Sequence, residues 1–210
     1  MTIPETRIRT QNDKPVNAGG QYVLYWMTAA RRTQFTFGLQ RAVEAANSLG
    51  VPLLILEALR VDYPHASDRL HAFIIEGMRD NARACAGTRA RYYPWIERAP
   101  GEGRGLLAAL AKRAALVVTD WYPAFFLGRM TAAAGGRLAV RLEAVDGSGL
   151  IPVAAHGRAF PTARGYRGFM QRSLREHLGA FPEQDPLARL ERGGAVVPPE
   201  VEKRWPSASL

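Results

Sequence analysis

The sequence predicts an α/β fold, a five-stranded doubly wound parallel sheet, and three features carry that expectation. Short runs of β-branched and aromatic residues alternate with segments of helical period along most of the chain. Two of the runs, residues 52–56 (PLLIL) and 115–119 (ALVVT), are apolar throughout, as parallel strands are when helices cover both faces. The runs are separated by helical segments, which parallel strands need for their right-handed crossovers.

Residues 22–26 (YVLYW) follow Gly19-Gly20 and read as the first strand. Thr33 is placed to cap the next helix, where Leu39, Ala42, Val43 and Ala46 share an apolar face and Gly50 closes the last turn. Residues 52–56 follow as the second strand. Ser67 caps a long helix with Leu70, Phe73, Ile74, Gly77 and Met78 on its inner stripe, ending near Gly87. Residues 89–93 form a weaker strand, and residues 102–113 a helix carrying Leu106, Leu107 and Leu110. Residues 115–119 form the next strand, which Asp120 ends. Pro123 suits the first turn of a helix running to Ala134, and Gly135-Gly136 stop it. Residues 138–142 are expected as the fifth strand, with Asp146 after it.

These elements divide the chain into four parts. Residues 1–20 are polar and read as a flexible arm. Residues 21–152 hold the α/β domain. Residues 153–180 form a basic helical connector, with Tyr166, Phe169, Met170 and Leu174 on one face and Arg158, Arg164, Arg167, Arg172 and Arg175 along it. Residues 181–210 carry Pro182, Pro186, Pro198, Pro199 and Pro206 and read as a linker.

Composition narrows the function classes. The 210 residues are 47% hydrophobic and 22% charged, an ordinary globular balance, with a net charge of +9. Such a surface attracts polyanions, nucleic acid first among them, or is simply an arginine-rich soluble surface. Cys85 is the single cysteine, which excludes an intramolecular disulfide and a cysteine-based zinc site. The N-terminal residues lack the apolar core of a signal peptide, and no run approaches membrane-spanning length. A cytoplasmic protein without membrane contact is the expectation.

The chemical motifs are sparse. Gly101-Glu102-Gly103-Arg104-Gly105 lacks the third-glycine spacing of a dinucleotide loop and reads as a turn into a helix. Gly147-Ser148-Gly149 is not a nucleophile elbow. His65, His71, His156 and His177 have no metal-ligand spacing. Asp120 and Asp146 both follow strands, where aspartates commonly cap the next turn. Trp26 and Trp121 stand at the carboxyl ends of strands, where α/β sheets bind ligands and a flat heteroaromatic group would stack. The run LYWMTAARR, residues 24–32, leaves the sheet at such an end and turns at once from apolar to charged.

Taken together, these segments resemble the class II cyclobutane pyrimidine dimer photolyases. Tyr25-Trp26-Met27-Thr28 followed by Arg32 and Gln34 is similar to that family's opening strand and turn. Val51-Pro52-Leu53, Pro100-Gly101-Glu102, Val117-Val118-Thr119-Asp120 with Pro123, Val145-Asp146, and Leu150-Ile151-Pro152 resemble later segments in the same order. Tyr166 to Gln171 resembles the helix leading out of the domain, and Arg204-Trp205-Pro206 the connector beyond it. Phe35 and Thr36 stand where many members carry Asp-Asn.

The resemblance implies the Rossmann-like N-terminal α/β domain of the photolyase and cryptochrome family. There, such a domain holds a light-harvesting antenna, a deazaflavin or a folate, and a separate helical domain holds FAD, binds DNA and repairs it. That flavin domain is expected to begin where this chain stops, so the chain alone would not be a working carbon-carbon lyase. The implied antenna crevice is lined by Trp26, Met27, Arg32, Glu57, Asp120 and Trp121, with Trp26 and Met27 as its apolar wall. In the alternative use of Arg32, it pairs with Asp120 or Glu57 and only holds loops together. Two rivals remain: a stand-alone module of the same fold that binds a small molecule or a flavin-bearing partner, and a nucleotide-using enzyme on a related sheet, which would have to work without a phosphate loop or a metal cluster.

Overall fold

The structure, a computed structural model, describes residues 2–210. Six strands form one sheet: β1 (Ile8–Thr10), β2 (Tyr22–Met27), β3 (Leu53–Leu59), β4 (Arg91–Ile96), β5 (Ala114–Trp121) and β6 (Leu142–Asp146). Their order is β1-β6-β5-β2-β3-β4, with β1 antiparallel to β6 and every other neighbouring pair parallel. Six α-helices accompany them: α1 (Phe37–Leu49), α2 (Asp68–Cys85), α3 (Leu106–Ala111), α4 (Leu127–Gly135), α5 (Ala163–His177) and α6 (Pro199–Arg204).

The alternating pleat of the strands separates two cores. Val23, Tyr25 and Met27 pack with α1 and with Cys85 of α2 on one face. Tyr22 and Leu24 pack with Leu106 and Leu110 of α3 and Val201 of α6 on the other. Helices thus cover both faces, which is why β2, β3 and β5 are buried almost from end to end.

The sheet has six strands rather than five, and the added one comes from the arm expected to be loose. Ile8-Arg9-Thr10 is short and flanked by charge, so its sequence carries no strand pattern. It is held by pairing with Val145, Ala144 and Glu143, and by Arg7. The Arg7 guanidinium is 1% exposed and donates to the carbonyls of Asp146, Gly149 and Leu150 while lying 4.3 Å from the Phe37 ring centroid.

Several boundaries move. The fifth parallel strand is Leu142–Asp146, not residues 138–142, and Leu138 and Val140 instead plug the lower core ahead of it. Helix α1 starts at Phe37 rather than near Thr33, because Phe35 has a positive φ of 48° and breaks the run. Gly50 does end it, in the left-handed conformation. Ser67 caps α2 through its hydroxyl, yet Leu70 and Phe73 face outward and the buried positions are Met78, Asn81 and Cys85. Only the second half of α2 reaches the sheet.

The proline-rich tail is not a free linker. Leu187 and Leu190 pack on the α1 face, the Arg89 guanidinium holds the Leu190 carbonyl, and Val197, Val201 and Trp205 are buried on the opposite face. The tail therefore passes from one side of the sheet to the other around β4. Ser207 and Ala208 then hydrogen-bond the Pro94 carbonyl on that edge strand, where a proline is tolerated.

Candidate functional site

Strand order reverses between β2 and β5, so the crevice where such sheets bind ligands lies beyond Met27 and Trp121. The loop leaving β2 is fixed there by Asp120. Its Oδ2 accepts hydrogen bonds from the backbone amides of Thr28, Ala29 and Ala30 at 3.0, 2.9 and 3.1 Å. Its Oδ1 accepts from the Tyr25 hydroxyl at 2.7 Å. Three consecutive amides converging on one point form a nest suited to a phosphate. Here the chain's own carboxylate fills it.

A second carboxylate is buried two strands away, across β2. Glu57 is fully buried at the end of β3 and accepts from Arg31 at 3.1 Å, from the Asn81 amide at 2.8 Å and from the Tyr92 hydroxyl at 2.6 Å. Arg31 also donates to the Ala58 carbonyl. Burial, then the Glu57 charge, pushes the Cys85 thiol up to about 12. The same two causes raise the Tyr92 hydroxyl, and burial with Asp120 raises that of Tyr25.

The six residues read from the sequence do not form one wall. Trp26 and Met27 point to opposite faces: Met27 joins the α1 core, and Trp26 lies against the α3 side. Trp26 aligns with Thr119, whose hydroxyl donates to the Trp26 carbonyl at 2.7 Å. Trp121 lies under the Arg9 guanidinium, 3.9 Å from its ring centroid. Glu57 and Asp120 are consumed by internal partners. Arg32 pairs with neither carboxylate; it donates to the Gln34 and Phe35 carbonyls at 3.0 Å each. The loop-holding ion pair with Glu57 belongs instead to Arg31, the neighbour of the residue expected to make it. The adjacent arginines give no sequence signal to choose between them.

Arg32 does line an open cleft of about 590 Å³, with Thr33, Gln34, Phe35, Asp80, Asn81 and Ala84. Its floor is the second half of α2 and its rim the loop between β2 and α1. Phe35 is half exposed there.

The other motifs resolve locally. The amides of Gly101 and Gly103 donate to Glu97 Oε1, and that of Val61 to Oε2, so this glycine turn is also closed by a buried carboxylate. Asp146 accepts from the Ser148 and Val153 amides and caps the turn after β6. Among the described residues no group of His, Cys, Asp and Glu is arranged to hold a metal ion, and no helix is long and apolar enough to cross a membrane.

No family model matches the chain. Over 78 residues, 37% of this chain and 18% of the relative, it is 42% identical to a deoxyribodipyrimidine photo-lyase of Methanothermobacter thermautotrophicus. Part of the chain is therefore related to a photolyase, and the matched part spans under a fifth of that relative's length. A crystal structure of a universal stress protein in complex with cAMP aligns with 61% of this chain and 99% of its own, at a TM-score of 0.36 and 22% identity.

Proposed function

We propose that this chain serves as the antenna-bearing α/β domain of a class II-type photolyase. In this reading it works beside a flavin-binding domain that carries FAD, engages DNA and splits cyclobutane pyrimidine dimers. The observation that carries the proposal is the 42% identity to a deoxyribodipyrimidine photo-lyase. The order of the YWMT, VTD-x-x-P and LIP segments along the chain supports it. The division into an α/β domain over 21–152, a connector over 153–180 and a tail toward the flavin domain belongs to the same proposal, as does a cytoplasmic setting.

The residues at the carboxyl edge suit a planar chromophore better than a nucleotide. The cleft beside Arg32 falls within the size range of small-molecule pockets, roughly 300–1,000 Å³. It offers the Phe35 ring as an apolar surface, the Arg32 cation toward an acidic group, and the Gln34 amide as a polar contact. Phosphate has less to bind, because Asp120 and Glu97 fill the two backbone nests. A deazaflavin or folate bound here would absorb near-ultraviolet or blue light and pass excitation to a flavin. Within this arrangement Arg32 and Phe35 touch the ligand, Asp120 and Glu57 fix the loops that present them, and Met27 packs beneath on the same face of the sheet, while Trp26 lies on the opposite face and Trp121 under Arg9.

The test is a spectrum followed by a titration. The purified chain, or the chain supplied with a deazaflavin or a reduced folate, is expected to show a near-ultraviolet band that denaturation releases. Arg32→Ala is expected to weaken binding about tenfold, the loss of one charge-assisted contact. Failure of both pigments to bind would overturn the antenna assignment.

A further inference from the structure

We propose that the outward face of α5 is a docking surface for the phosphate backbone of duplex nucleic acid. Helix α5 has no buried residue, so it stands on the body of the protein rather than within it. At 100° per residue, Arg164, Arg167, Arg172 and Arg175 fall within an arc of about 140°. Tyr166, Phe169 and Met170 occupy the opposite side.

That apolar side is engaged in part, with Tyr166 still exposed. The rings of Phe160, Tyr166 and Phe169 lie 5.4 to 6.4 Å apart, with His156 about as close to each of the three. The Thr162 hydroxyl caps the first turn through the Gly165 amide. The preceding segment therefore supports the helix from beneath and turns its arginines outward.

The arginines lack acidic partners. Among the described residues none of Arg158, Arg164, Arg167, Arg172 and Arg175 has a carboxylate within ion-pair distance, whereas eight other arginines do. Glu176 is the one acidic residue between 147 and 182. Four guanidiniums spread over about 16 Å of helix match a regular line of phosphates, about five base-pair steps. A polyanion complements this face. A lipid surface complements it less well, since the rings that would enter a bilayer are packed on one another. This inference does not depend on a chromophore.

The experiment measures binding of the full chain to an undamaged, fluorescently labelled 20-base-pair DNA duplex at 50 and 200 mM salt. Four phosphate contacts predict a loss of affinity on the order of 100-fold between those concentrations. Replacing Arg164, Arg167, Arg172 and Arg175 together by Gln is expected to abolish most of that dependence, and the matching Lys variant to keep it. A control that removes the same charge elsewhere, at Arg69, Arg79, Arg83 and Arg104, is expected to leave most of it intact. Circular dichroism confirms folding in each case. The proposal is overturned if the wild type does not bind at 50 mM salt or if the control variant weakens binding equally. It is also overturned if light scattering shows a dimer that the Gln variant dissolves, or if phosphatidylserine vesicles bind the chain and DNA does not compete.

Discussion

Asp120 is the residue on which the carboxyl edge depends. It receives one hydroxyl and three amide hydrogen bonds, so its removal orphans four donors rather than one. A buried donor left unpaired costs about 1–3 kcal/mol, and the loop amides can recover part of that from water. Asp120→Ala is therefore expected to lower unfolding free energy in urea by about 3–5 kcal/mol, against about 1 kcal/mol for Tyr25→Phe, which removes one donor and leaves the amides served. Equal losses in the two variants would show that the carboxylate does not organise the loop. Glu57 sets a second residue-level expectation through Cys85. With its thiol pushed up to about 12 by burial and by the Glu57 charge, Cys85 carries almost no thiolate near neutral pH. Iodoacetamide at pH 8 is expected to leave the native chain unmodified by mass spectrometry and to label it fully in denaturant. Rapid labelling of the folded protein would mean that α2 opens at its C-terminal end.

At the scale of elements, strands with a dense apolar signal were legible and those stabilised by long-range partners were not. β2, β3 and β5 announce themselves because both faces are covered, and the alternation around them implies a parallel sheet. β1 has three residues and no pattern of its own; it is held by Arg7 and by β6, more than a hundred positions away. The outer half of α2 shows the opposite error, since Leu70 and Phe73 keep helical spacing without anything to pack against. At the candidate site, position was legible and role was not. The chain end of β2 is where the crevice lies, but an amphipathic pattern does not reveal that carboxylates fill the nests or that Arg31, not Arg32, takes Glu57. The tail is the sharpest case. Its prolines suggest a linker, whereas Trp205 is buried, donates its indole N–H to the Glu102 carbonyl and accepts the Tyr93 hydroxyl on its own carbonyl. Trp205→Ala is expected to cost about 3–5 kcal/mol in urea unfolding, the usual range for truncating a buried tryptophan. A free linker would give no change.

Across the whole molecule, four tyrosines tie the sheet to its surroundings, and their ionisation sets how the fold responds to alkali. Tyr22 donates to the Leu110 carbonyl of α3, Tyr25 to Asp120, Tyr92 to Glu57 and Tyr93 to the Trp205 carbonyl. Burial raises all four, Tyr93 to about 12 and the others further, with carboxylate charge adding to the shift. In the unfolded chain these groups lose protons near the ordinary tyrosine value of about 10, and Cys85 near about 8.5. Between those values and the raised native ones the folded state holds more protons than the unfolded state, so stability falls as pH rises. The contribution is complete below about pH 8, begins to decline with Cys85, and declines steeply above about pH 10. Urea midpoints at pH 8, 10 and 11 are expected to drop progressively, and phenolate absorbance at 295 nm to rise together with unfolding. Tyr92→Phe removes one of the four groups and is expected to flatten the decline while lowering stability at pH 8. Added salt separates this effect from the shrinking positive charge, since the +9 surface is screened and the buried hydroxyls are not. Equal midpoints at pH 8 and 11 would mean that these hydroxyls titrate in the native state, and that the contacts joining α3, the β2 loop and the tail to the sheet are open to water.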